Sequence, residues 1–356
     1  MKSIILAVDD IRAIVKRVGR DALMDELILR MTRAFDDYST DKIKIPMRDG
    51  FQYTHPVLGL LEWMPIMEIG QKSTIKIVGY HPHNPNRHQL PTIISTISAF
   101  DASTGHLIGL ADATFTTALR TGAASALASK IMAKPDSKTL GLIGCGAQAV
   151  TQLHALSRIF DFDRVLLHDS DFSIMQSFKE RAAFIGIETQ PTQLDELVKQ
   201  SDIICTATSV EIGAGPVFDA EEYKPWLHVN AVGADFPGKI EVPKDFLKAS
   251  YVSPDYREQA IKEGECQQID EDEIGAELVE ILQNPDEFKH LKDQPTVFDS
   301  TGWALEDQVA LEMLLDMAKD FGLGTELDLE SIADDPHNPY SFVGDEETVS
   351  KNQKAS

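Results

Sequence analysis

The stretch Gly144-Cys-Gly-Ala-Gln-Ala149 constrains this chain more than any other. Its spacing is G-x-G-x-x-A. It follows a short apolar run, Thr139-Leu-Gly-Leu-Ile-Gly144, and opens a helical pattern from about Ala147 to Phe160. A buried strand turning through glycine into a helix is the context that gives this spacing meaning. Gly144 permits the tight turn, Gly146 leaves room for a pyrophosphate against the backbone, and Ala149 lets the helix lie close on the strand. The helix N-terminus adds unpaired N–H groups and the positive end of a dipole. Asp169 lies 20 residues past Ala149, closing a second apolar run, Arg164-Val-Leu-Leu-His-Asp169. A carboxylate there accepts hydrogen bonds from ribose hydroxyls and repels a 2′-phosphate, so NAD is favoured over NADP. No Arg follows immediately to reverse that preference. The competing reading of Asp169 is a cap on the next helix. Cys145 reads as a small loop side chain rather than a nucleophile.

Further strand-like runs follow at Asp202–Thr208, His228–Gly233, Ala249–Ser253 and Thr296–Asp299, with a helical stretch from Phe172 to Ile185. Strands alternating with helices predict a Rossmann-type, doubly wound parallel sheet in an α/β protein. The first ~120 residues differ. An amphipathic helix from Asp21 to Tyr38 precedes strand-like pieces at Gly59–Trp63, Ser73–Val78 and Thr92–Phe100, separated by turn-rich sequence. That pattern predicts an antiparallel or mixed α+β domain for substrate binding and dimerisation. The expected division is 1–122 with 322–356, and 123–321 for the NAD-binding unit. The tail from Gly344 to Ser356 is polar and is expected to fray.

Composition narrows the function classes. Acidic residues number 57 against 33 basic, a net charge of −24. Such a surface repels phosphate backbones and anionic headgroups, so no nucleic-acid or membrane partner is expected. Cys145, Cys205 and Cys266 are scattered and odd in number, which argues against a disulfide framework or structural zinc. His81 and His83 sit in a Pro/Asn turn, and no metal is expected. No apolar run reaches the ~18 residues a membrane span needs, and the short N-terminal apolar run ends in two acids. A cytoplasmic protein is the expectation.

Against that acidic background a few charges stand in apolar or Gly/Pro-rich surroundings: Arg48, Glu62, Lys76, Arg120 and Asp235. Charges there are costly unless paired. Arg48, Lys76 and Arg120 could together hold one carboxylate. Asp235 lies past a strand end, where groups acting on ligands gather in doubly wound sheets. Each residue taken singly also fits an ordinary ion pair.

These segments resemble the ornithine cyclodeaminase/μ-crystallin family from roughly Arg48 to Asp335. The resemblance rests on Glu62-Trp-Met-Pro65, Lys76 with Gly79-Tyr-His-Pro-His-Asn84, Thr117-Ala-Leu-Arg-Thr121, Gly144-Cys-Gly-Ala-Gln148, Asn230-Ala-Val-Gly-Ala-Asp-Phe-Pro-Gly-Lys239, Gly264-Glu-Cys-Gln-Gln268 and Val297-Phe-Asp-Ser-Thr-Gly-Trp-Ala-Leu-Glu-Asp307. It implies an NAD-dependent enzyme and a homodimer pairing through the N-terminal sheets. Arg48, Lys76 and Arg120 would hold the substrate α-carboxylate. Glu62 and Asp235 would face the terminal amine, with Asp235 as proton acceptor. Thr121, Gly144, Gly146, Ala147, Gln148, Asp169, Asn230, Val232 and Gly233 would line the cofactor. The expected reaction converts L-ornithine to L-proline and ammonia with no net redox change. Lysine cyclodeamination and NAD(P)H-dependent reduction of cyclic imines or ketimines stay open within the family. A dinucleotide-dependent binding protein without catalysis is the alternative from another class.

Overall fold

Two sheets organise residues 2–343, which the computed structural model describes; the tail expected to fray lies outside them. The first sheet takes β1 (Ser3–Leu6), β2 (Ile43–Lys44), β3 (Asp49–Tyr53), β4 (Gly59–Glu68), β5 (Lys72–Tyr80), β6 (Ile93–Asp101) and β7 (Leu107–Asp112). The second takes β8 (Thr139–Ile143), β9 (Arg164–His168), β10 (Thr189–Pro191), β11 (Ile203–Thr206), β12 (His228–Ala231), β13 (Tyr251–Pro254) and β14 (Thr296–Asp299). A last strand, β15 (Thr325–Leu327), returns to the first sheet and pairs antiparallel with β1. The helices are α1 (Val8–Val18), α2 (Arg20–Asp36), α3 (Asn84–His88), α4 (Thr114–Met132), α5 (Ala147–Ser157), α6 (Phe172–Arg181), α7 (Leu194–Gln200), α8 (Lys244–Ala249), α9 (Arg257–Glu263), α10 (Leu278–Gln283) and α11 (Ala304–Phe321).

The second sheet is parallel throughout, in the order β10-β9-β8-β11-β12-β14-β13. β8, β11, β12 and β14 are buried at every residue, as strands covered on both faces must be. The order reverses between β8 and β11, the switch point at which such a sheet leaves a crevice at its strand ends. The first sheet is mixed: β1 runs parallel to β7, and the other pairings are antiparallel. Along β4 the pattern alternates, with Leu60, Glu62, Met64 and Ile66 buried against the core, and Leu61 and Met67 outward. On β5 the inward positions are Thr74, Lys76 and Val78.

Helix α4 is buried nearly all round, the mark of a helix inside a core. It packs on α2, α5 and α11 and touches β6, β12 and β14, so it joins the two sheets. Gly122 makes the α5 crossing close: a Cβ there would stand 2.5 Å from the Thr151 carbonyl oxygen. Sequence grouping placed α11 with the dinucleotide unit. In the structure it packs on β4, β5, α1, α2 and α4, and its Leu305, Met313 and Leu314 share one core with Leu27 and Met64. Its periodicity announces a helix but not the layer it joins. Among the described residues no helix is long and apolar enough to cross a membrane.

Candidate active site

The crevice at the switch point begins with Gly144, whose φ is +87°. A Cβ there would also sit 2.6 Å from the Ala207 carbonyl oxygen, so only glycine fits. Around Gly146 nothing lies within 4 Å of where a Cβ would be. Gly146 caps α5 with no side-chain hydrogen bond, so the first turn, with Ala147 and Gln148, faces open space. This cradle suits a pyrophosphate. Asp169 accepts the Cys145 N–H at 2.7 Å and the Asp171 N–H at 2.8 Å. The cap of α6 is Asp171, which accepts from Ser173 and Ile174, so capping is not the task of Asp169. Arg181, at the end of α6, donates to the Cys145 carbonyl at 2.6 Å and the Gly146 carbonyl at 3.3 Å. Sequence distance from Asp169 hid this brace on the loop. Burial, then the Asp169 charge, push the Cys145 thiol up to about 12, which leaves it inert.

Glu241 forms the floor beside this crevice. It is fully buried and accepts from Thr206 Oγ1 at 2.7 Å, the Thr208 N–H at 2.7 Å and the Gly233 N–H at 2.8 Å. It thereby ties the loops after β11 and β12 together. A Cβ on Gly233 would run into this carboxylate. Val232 donates its N–H to the Thr206 carbonyl at 3.0 Å. Two residues expected at the cofactor have side chains engaged within the protein. Asn230 lies within β12, inside the strand-like run read from sequence, and its amide donates to Ser129 Oγ at 2.9 Å in the core. Thr121 spends its hydroxyl on the Thr117 carbonyl at 2.8 Å, inside α4.

The charged residues gather where the inner face of the first sheet meets the strand ends of the second. Arg48, just ahead of β3, donates through Nη1 to the Thr301 carbonyl at 3.1 Å and through Nη2 to the Asp235 carbonyl at 2.8 Å. Its Nε faces Glu263 at 2.5 Å and Glu62 at 3.5 Å. Lys76 Nζ meets Asp307 at 2.7 Å. Arg120 reaches the same carboxylate at 3.0 Å and Glu306 at 3.0 Å. Gly302, at φ +95°, seats Arg120: a Cβ there would lie 2.8 Å from Nη2. Asp235 is less enclosed, its side chain 29% exposed, and Oδ1 takes Lys239 Nζ at 3.0 Å. The three cations therefore do not share one partner. Arg48 sits with Glu62, Glu263 and the Asp235 loop; Lys76 and Arg120 sit with Asp307. The clusters still feel each other, since Lys76 is pushed down by Arg120 and Arg48 and Glu62 by contrast feels Asp235 and Lys76.

Burial dominates the electrostatics. It lowers Lys76 to about 8, with Arg120 adding to the effect and Asp307 opposing it. It raises Glu263 to about 7 and Glu306 to about 8, in each case against a nearby arginine. It also raises Glu62, against Arg48. Sequence reading gave no role to Glu241, Glu263, Glu306 or Asp307. The available signal was an acid in apolar surroundings, as in Trp303-Ala-Leu-Glu-Asp-Gln-Val-Ala310. His81 bonds Tyr53 Oη through Nε2 at 2.8 Å.

The sequence signature of the ornithine cyclodeaminase/mu-crystallin family matches residues 8–321. The chain belongs to that family. Among its members, the L-lysine cyclodeaminase of Streptomyces rapamycinicus is 41% identical over 343 residues, covering 96% of this chain and all of the relative. An ornithine cyclodeaminase of Agrobacterium tumefaciens is 32% identical, covering 95% and 93%. A lysine cyclodeaminase, solved to explain its recognition of L-lysine, L-ornithine and L-2,4-diaminobutyric acid, superposes with a TM-score of 0.94 at 43% identity, covering 96% and 100%. An archaeal alanine dehydrogenase dimer with bound NAD superposes with a TM-score of 0.83 at 30% identity, covering 93% and 100%.

Proposed function

We propose that the protein is an NAD-dependent cyclodeaminase of L-α,ω-diamino acids, with L-lysine favoured, releasing ammonia and forming the six-membered cyclic amino acid. The observation that carries this is a buried cluster of both signs, Lys76 and Arg120 on Asp307 at one side and Glu62 and Asp235 at the other, with Arg48 against Glu62. Arg48, Lys76 and Arg120 suit a carboxylate, while Glu62 and Asp235 suit an ammonium. The fuller identity to a lysine cyclodeaminase than to an ornithine cyclodeaminase supports lysine over the ornithine expected from sequence. One methylene is worth only ~1–3 kcal/mol, so L-ornithine is the second substrate. The open cradle at Gly146 and the acid at Asp169 suit NAD, which the alanine dehydrogenase relative carries.

When bound, NAD supplies a hydride acceptor that the same turnover restores, so no net oxidation results. The protein orients and moves protons. Arg48, Lys76 and Arg120 fix the α-carboxylate, and with it Cα. Glu62 receives the ω-ammonium. Asp235 takes one proton from that nitrogen, which then has a lone pair to attack the α-imine. Closure is intramolecular and gains from orientation. The proton passes to the α-nitrogen, which leaves as ammonia. The reaction is tested with L-lysine and L-ornithine at substoichiometric NAD⁺. Many turnovers per NAD⁺ without accumulating NADH are expected. NADH oxidation with cyclic imines, and no ammonia from either amino acid, would move the protein to imine reduction.

Lys76 adds a pH prediction. Only its protonated form attracts the substrate carboxylate, so kcat/KM should fall as pH rises through about 8, the value burial imposes. Lys76→Arg keeps the charge, and the limb should disappear. A limb unchanged in that variant removes Lys76 from carboxylate binding.

The outer face of the first sheet supports a homodimer. Phe51, Leu61, Ile77 and Ile94 are exposed side by side on β3 to β6, an apolar patch of the kind that marks an interface. Ile77→Asp should convert a dimer to monomers in light scattering; a dimer that survives places the interface elsewhere.

A further inference from the structure

Glu263 has no part in the reaction as drawn, yet it makes the tightest contact of Arg48. We propose that Glu263 holds Arg48 away from Glu62 and so keeps Glu62 as a free anion for the substrate's ω-ammonium. It is a positioning residue that sets the preference for diamino acids. The proposal rests on reading the cleft as a diamino-acid site.

The argument starts from the guanidinium. The Nε edge lies against two carboxylates as a charge contact, with no aligned N–H bond to either. They compete for it, Glu263 at 2.5 Å and Glu62 at 3.5 Å, and all three side chains are about nine-tenths buried. One N–H of each Nη goes to the Thr301 and Asp235 carbonyls, so the guanidinium stays in this corner and only its Nε edge can tilt from one acid toward the other. Glu263 is itself anchored, at the end of α9, where its carbonyl accepts the Phe236 N–H at 3.1 Å. Without its charge, the one remaining partner for Nε is Glu62. Glu62 would then be neutralised by Arg48 and would attract an incoming ammonium weakly.

The groups facing this pair are Asp49 and Lys76 on the first sheet, Asp235 and Lys239 after β12, and, beyond Lys76, Arg120, Glu306 and Asp307. Burial raises Glu263 to about 7 against the pull of Arg48. As pH falls through that value Glu263 gains a proton, its hold on Nε weakens, and Arg48 turns to Glu62. The preference for an ω-ammonium therefore fades on the acid side.

The test uses full-length protein with saturating NAD⁺. L-norleucine, which has the lysine skeleton without the ω-ammonium, is the probe. The measured quantity is its inhibition constant divided by KM for L-lysine or L-ornithine. Glu263→Gln should lower this ratio on the order of ten- to a hundredfold, with the norleucine constant and Tm nearly unchanged. Adding Glu62→Gln should then cost little more, because Glu263 acts through Glu62. In the unmodified protein the ratio should drop below pH 7, which gives a reading even if Glu263→Gln folds poorly. A preference kept by Glu263→Gln, or a ratio flat with pH, overturns the proposal alone. No preference for diamino acids in the unmodified protein overturns the diamino-acid reading and this proposal with it.

Discussion

Asp235→Asn is expected to lower kcat on L-lysine by about a hundred- to ten-thousandfold, with Tm almost unchanged. The amide has no basic lone pair for the proton that the ω-nitrogen must lose, and that loss precedes ring closure. The fold has little reason to respond. The carboxylate is 29% exposed and, among the described residues, pairs with Lys239 alone, through Oδ1. What holds the loop is its backbone, since the Asp235 carbonyl receives Arg48 and the Phe236 N–H reaches Glu263. Single-turnover kinetics should show the hydride step at Cα surviving and ammonia release lost. Retention of near-full ammonia release would remove Asp235 from the proton step.

Asp307→Asn acts on stability instead. Lys76 and Arg120 are both buried and both lean on this carboxylate, at 2.7 and 3.0 Å. Glu306 is the poorer counter-charge, because burial pushes its carboxyl up to about 8 and so disfavours its charged form. Asp307 is then the anion that answers two cations. Removing one partner of a buried pair leaves an uncompensated charge, which costs about 3–5 kcal/mol. Denaturant unfolding should show a loss of that size. Saturating L-norleucine should recover part of it, because its carboxylate supplies an anion to the same cations and binds only the folded chain. A loss below about 1 kcal/mol would mean that Lys76 and Arg120 are balanced some other way.

The dinucleotide unit was legible because its signals are local. Thr139 to Ala149 is one strand, one turn and one helix start, and the matching structure is β8 running into α5. The helix from Arg20 and the strands at Lys72, Ile93 and Thr296 were equally readable from periodicity. What periodicity does not carry is pairing between distant segments. The placement of β1 between β7 and β15, and of β14 between β12 and β13, depends on such pairings. The same divide runs through the site. Asp235 and Glu62 stood out as charges in apolar sequence and lie in the cleft. A list of three cations does not state which acids of the chain fold back onto them. Glu263 and Asp307 come from helices far along the chain and divide the cations between them. Asn230 and Thr121, named with the cofactor on their sequence neighbourhood, are buried residues whose side chains bond within the protein.

Helix α4 has a mechanical consequence. One rod carries Arg120, passes between both sheets and packs on α2, α5 and α11 along its length. Two lobes sharing such a spine cannot swing apart about a flexible linker, because any wide opening would expose an apolar surface held within a single core. The position of Arg120 is thus set by the packing of α4 rather than by a ligand. Turnover in such a protein should respond weakly to solvent viscosity, and a cavity cut into α4, as by Leu127→Ala, should loosen binding and lower Tm together.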